Sequence, residues 1–145
     1  MAIVSNFPEK RGLNADDIND IAGGEISNGF VQSQFNYSTD EQVIGKWVDG
    51  KPLYQKTINF GALPNNTTKV VSLGISNVDR FAEIIGVSMS SEVAHHIPHV
   101  YGAETNENAL ALNKVNGVWT ATIYTHTDRT NFTAYITVRY TKTTD

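Results

Sequence analysis

The 145-residue chain contains no cysteine, which removes disulfides, thiolate zinc sites and cysteine nucleophiles from consideration. Charge is also sparse: 18% of residues are Asp, Glu, Lys or Arg, with a formal net charge of −4. A nucleic-acid partner is therefore not expected, because phosphate binding calls for a basic footprint. No run approaches the roughly 18 apolar residues that a membrane-spanning helix needs, so no membrane partner is expected. Met1 to Phe7 has no basic segment followed by an apolar core, so a signal peptide is not expected. Nor is there a GxSxG elbow or a phosphate-cradling glycine loop, since Gly23-Gly24 lacks both the spacing and the lysine.

What is present is 40% hydrophobic sequence, rich in threonine, asparagine and serine, the composition of strands joined by polar turns. The length suits one modest core, hence a single β domain with a short appendage. The opening segment GLNADDINDIAGG has another character. Asn14 suits a helix cap, Leu13, Ile18 and Ile21 form a small apolar stripe, and Gly23-Gly24 would end the helix. Residues 1–36 are accordingly expected to be a short helical arm for attachment or packing, and residues 37–145 the β domain. Between them, Phe30, Phe35 and Tyr37 leave room for one or two short strands.

Strand signals follow one another closely. Val43, Ile44 and Trp47 lead into a turn at Asp49-Gly50, and after Pro52 the residues Tyr54, Ile58 and Phe60 share one strand face, with Lys56 as the break. TKVVSLGI and EIIGVSMS read as further strands, with residues 76–79 as their connection. Residues 92–106 read as a long loop carrying His95, His96, His99 and Pro98. ALALN then approaches Asn116-Gly117, the strongest hairpin signal in the chain. Beyond it, Trp119, Ala121 and Ile123 face one way, and on the last strand Phe132, Ala134, Ile136, Val138 and Tyr140 do the same. The opposite row of that strand, Thr133, Tyr135, Thr137, Arg139 and Thr141, is either a solvated face or one that packs about a symmetry axis. Closely spaced strands without intervening helices predict an all-β fold, an antiparallel β-sandwich of jelly-roll-like type.

Chemistry-bearing residues are few. His95, His96 and His99, with Glu92 or His126 as further ligands, are the candidate metal ligands, although the spacing is not HExxH. Otherwise no cofactor is expected. Asp79, Glu83, Glu92, Glu104, Glu107 and Asp128 are the carboxylates from which a glycan-cleaving pair would have to come. For sugar stacking, Trp47 and Tyr101 with Glu104 are the first candidates. Trp119 is expected in the core.

The stretches YSTDEQVIGKWVDGKPLYQKTINFGALPN, GISNVD and FTAYITVRYTKTTD together resemble the carboxy-terminal domain of bacteriophage and prophage tail or head fibre proteins. The resemblance covers residues 37–145. It implies a virion structural or adhesion module assembled in the bacterial cytoplasm, a homotrimer, not an enzyme. Such a module is carried on other phage structural proteins through residues 1–36, is displayed towards host-surface glycan, and sometimes holds a metal ion at a subunit interface. Asp49, Gly50, Pro52 and Tyr54 lie in its most recognisable segment and, with Asn116, Gly117 and Trp119, are expected to define the fold. The short arm in place of a long shaft keeps open a head-fibre, decoration or baseplate protein with a purely structural role. The third reading is a glycan-cleaving or metal-dependent enzyme.

Overall fold

The computed structural model describes residues 36–99 and 108–145. The account that follows concerns the unit Tyr37–Asp145. The expected helical arm, and the possible strands between it and Tyr37, lie outside the described residues.

Eight strands are formed among the described residues: β1 (Gln42–Lys46), β2 (Pro52–Ala62), β3 (Thr68–Ser72), β4 (Val78–Met89), β5 (Ala94–Ile97), β6 (Asn108–Val115), β7 (Val118–Thr125) and β8 (Thr133–Lys142). They make two antiparallel sheets, one in the order β1-β2-β8-β4-β5 and one in the order β3-β7-β6. The fold is thus all-β and sandwich-like.

Local chemistry explains the tight connections. At the β1–β2 turn the Lys51 N–H donates to Asp49 Oδ1 at 3.0 Å and the Gly50 N–H to the Trp47 carbonyl at 2.9 Å. Gly50 adopts φ +88°, which a glycine takes without steric cost. Between β6 and β7, Val115 pairs with Val118 across Asn116 and Gly117, at φ +50° and +84°. Two positive φ values in a two-residue loop match the twist of the flanking strands.

The core lies where the two sheets share apolar residues. β8 supplies Ala134, Ile136, Val138 and Tyr140, β2 supplies Ile58 and Phe60, and β7 supplies Ala121 and Ile123; Phe132, Leu63, Leu73, Ile75 and Ile97 close the ends. The alternation read along the final strand and along β2 therefore has its expected inner face.

Three readings are corrected. Residues 92–106 are not one loop, because Ala94–Ile97 pairs with Gly86–Met89 as an edge strand. The connection before β4 is shorter than residues 76–79, since β4 begins at Val78. The strand read as TKVVSLGI ends at Ser72, where the Gly74 backbone turns at φ +61° while Leu73 and Ile75 stay buried.

Candidate functional site

Strand register places side chains on the outer face of the five-stranded sheet in rows. Gln55, Arg139 and Glu83 form one row, Thr57, Thr137 and Ile85 the next, then Asn59, Tyr135, Val87 and His96, then Thr133, Met89 and Ala94. Arg139 ties three strands together, donating from Nε to Gln55 Oε1 at 2.9 Å and from its terminal nitrogen to Glu83 Oε1 at 2.9 Å. The hydroxyls of Thr57 and Thr137 satisfy each other at 2.9 Å, so burying them leaves no orphaned polar group. Thr137 and Thr141 are buried rather than solvated. Thr141 gives its hydroxyl to Asp79.

Past the arginine row the β4 side of the face turns apolar. Ile85, Val87, Met89 and Tyr135 are all exposed, Met89 by 58% and Tyr135 by 51%. The entering chain walls one side, tied down where the Thr57 N–H donates to the Ser38 carbonyl at 2.8 Å. Tyr37, Ser38 and Thr39 thus border an opening of about 450 Å3, floored by Thr57 and Thr137 and flanked by Ile85, Val87 and Tyr135. Sequence reading identified Tyr135 but not Ile85, Val87 or Met89. The available signal was Ile85, Val87 and Met89 at every second position of EIIGVSM, the period that sets side chains on one face of a strand.

The histidines divide between faces. His95 points inward, its ring stacked on His99 at 3.9 Å and 6° and on Phe132 at 5.4 Å, whereas His96 follows Val87 on the outer face. Burial pushes the His95 imidazole below its ordinary value, helped by His99, Arg129 and His96. Among the described residues, the buried His95 Nδ1, Ser88 hydroxyl and Asn108 side chain find no hydrogen-bond partner. Among the described residues no group of three or more His, Cys, Asp or Glu is placed to hold a metal ion.

The other candidates are dispersed. Trp47 is half-buried at the β1–β2 turn, and Tyr54 stacks on Tyr140 at 5.8 Å. Pro52 opens β2 opposite Lys46. Trp119 is half-buried at the margin of the core, edge-on to Phe81 at 4.9 Å, and it borders a polar hollow of about 330 Å3 with Asn77 and Lys114. Tyr101, Glu104 and Glu107 lie outside the described residues.

The remaining carboxylates serve the scaffold. Asp79 pairs with Lys51 at 2.9 Å, which holds its carboxyl below the usual range. Glu41 accepts from Lys142 and from the buried Tyr140 hydroxyl. Asp128 caps Thr130 through both its backbone and its hydroxyl and is likewise lowered. Glu92 is exposed in the β4–β5 turn, where its N–H meets the Ser90 hydroxyl.

Fold and site together define an all-β two-sheet domain with an apolar face on its larger sheet that the described residues leave uncovered. No family model matches the chain, and no curated protein matches it. Among solved structures it is similar to the carboxy-terminal part of the R1 pyocin fibre of P. aeruginosa. That likeness is weak and partial, with a TM-score of 0.35 and 11% identity over 92% of this chain and 34% of the fibre chain. The chain thus spans about a third of the fibre chain it resembles.

Proposed function

We propose that this chain is a non-catalytic structural module of a phage virion, a homotrimeric fibre domain of jelly-roll-like type, carried on the particle through residues 1–36. The observation that carries this reading is the make-up of the outer sheet opening. It is lined by hydroxyl and hydrocarbon groups, with tyrosines as its titratable side chains, while the ionisable pairs Lys51–Asp79, Arg139–Glu83 and Lys142–Glu41 brace strands against one another. Such a surface suits contact with another protein rather than proton transfer or nucleophilic attack. The fibre-domain resemblance of residues 37–145 supplies the particle context. A head-fibre, decoration or baseplate role fits the same surface. Light scattering on the full chain tests the assembly: a mass of three chains is expected, and a single-chain mass overturns the homotrimer.

A second reading, display towards host-surface glycan, is favoured by the Trp119 hollow. A half-buried indole beside the Asn77 amide and the Lys114 ammonium offers an apolar platform with polar neighbours, the combination that sugar rings use. Titrating the chain with neutral and acidic oligosaccharides while following the indole N–H resonances tests it. A saturable shift confined to Trp119 is expected, and unmoved resonances remove the glycan reading while leaving the structural one intact.

A further inference from the structure

We infer that the outer face of the five-stranded sheet, centred on Val87 and Tyr135, is the surface through which copies of this chain pack against one another. The inference rests on the homotrimer reading and adds the location of the contact.

Four observations converge on it. First, β4 presents hydrophobic side chains to both sides: Ile85, Val87 and Met89 lie outward, while Val78 and Phe81 pack against the core. Strands that alternate apolar and polar face water on one side, whereas strands apolar on both faces are covered on both. Second, Val87 pairs in register with Tyr135 on β8, Ile85 and Met89 flank Val87 along its strand, and Ile85, Val87 and Tyr135 line one opening with Tyr37, so the apolar side chains form one contiguous patch rather than scattered points. Soluble monomers rarely expose a contiguous apolar patch beyond a few hundred Å2.

Third, the face approaches the size an interface needs. β2, β8 and β4 run side by side over about ten residues, and β1 and β5 add five and four, so with strands about 4.8 Å apart and a rise of about 3.3 Å per residue the face covers about 600 Å2. A standard interface takes about 800 Å2 from each partner.

Fourth, charge permits a partner with the same surface. In the rows from Gln55–Arg139–Glu83 to Thr133–Met89, Arg139 and Glu83 neutralise each other within one copy at 2.9 Å, and the one other titratable side chain besides Tyr135 is His96 on the edge strand. Identical faces brought together therefore set no unpaired like charges against each other, a conflict that would cost several kcal/mol. The row of threonines beside the patch permits close approach of the sheets, and the Thr57–Thr137 pair already satisfies its own hydroxyls. An acidic or basic partner would find no counter-charge on this surface. A second and third copy, each offering tyrosine, valine, isoleucine and methionine, would find a match.

The test uses the full chain. Val87→Asp sets a carboxylate at the centre of the patch, and light scattering should show the mass falling threefold to that of one chain. Val70→Asp, at an exposed position on the three-stranded sheet, should keep the three-chain mass. Should Val87→Asp fail to fold by circular dichroism, the decision passes to a milder change. The chain has no cysteine, so Val87→Cys carries a single nitroxide label, and strong dipolar coupling between labels is expected in the assembly and none from Val70→Cys. A three-chain Val87→Asp protein, or uncoupled labels at position 87 within a trimer, overturns this face as the contact while the homotrimer stands. An unmodified chain that is monomeric overturns the homotrimer reading and this inference with it.

Discussion

The phenol of Tyr140 is fully buried between Tyr54 and Phe81, yet its hydroxyl reaches Glu41 beside Lys142. Burial and the neighbouring carboxylate push its ionisation far above the ordinary range, so it remains a donor at every working pH. Tyr140→Phe keeps the ring contacts and deletes that donor, and a hydrogen bond to a charged acceptor at the domain margin is worth about 1.5 kcal/mol. Urea unfolding of the variant should show that loss with an unchanged m-value. His95 behaves differently, because burial lowers its protonation below the ordinary value. On acidification the unfolded chain takes up this proton first, so stability is complete above pH of about 6.5 and declines as pH falls below it. The melting temperature should fall between about pH 7 and pH 5, and His95→Phe, which keeps a flat ring against Phe132, should reduce that slope. An unchanged slope would assign the acid sensitivity to other groups. Neither role was legible in the sequence. Tyr140 was visible as a core residue, but its partner Glu41 lies far away along the chain, and HHIPH alone does not say that one histidine turns in and the next turns out.

Where an element's features are local, sequence reading located it. Asn116-Gly117 takes its turn through backbone preference and Asp49-Gly50 through that preference and the Asp49 carboxylate, and the alternation on β8 predicted the side chains that meet the other sheet. β5 escaped because it is four residues long, gives one side chain, Ile97, to the core, and owes its existence to pairing with β4. Glycines separate the two kinds of information. At Gly117 an added Cβ would meet nothing, so Gly117→Ala should cost only the left-handed backbone, about 1–2 kcal/mol. At Gly86 the same atom would lie 3.0 Å from Ile97 Cβ and 3.3 Å from Leu110 Cδ2, between β5 and the second sheet. Overpacking of this kind costs about 1–3 kcal/mol. Gly86→Ala should also speed amide exchange in β5, which Gly117→Ala should leave unchanged. Equal exchange in both variants would mean that β5 does not depend on that close approach.

For the whole molecule, the proposed homotrimer implies that the forces within a copy and between copies differ in their response to salt. The three ion pairs that brace the strands are partly exposed, and each contributes at most about 1 kcal/mol. Ions shorten the reach of charge to about 3 Å at 1 M salt, so these pairs weaken while the apolar core does not, and thermal stability should shift only modestly. Contact through the outer sheet face depends on salt even less, because its one ion pair is closed within each copy. The three-chain mass should therefore be the same at about 0.05 M and 1 M sodium chloride, and sulfate, which strengthens apolar burial, should hold it at lower protein concentration. Dissociation at high chloride would show instead that charges hold the copies together. It would move the contact away from Val87 and Tyr135 and towards a charged surface of the domain.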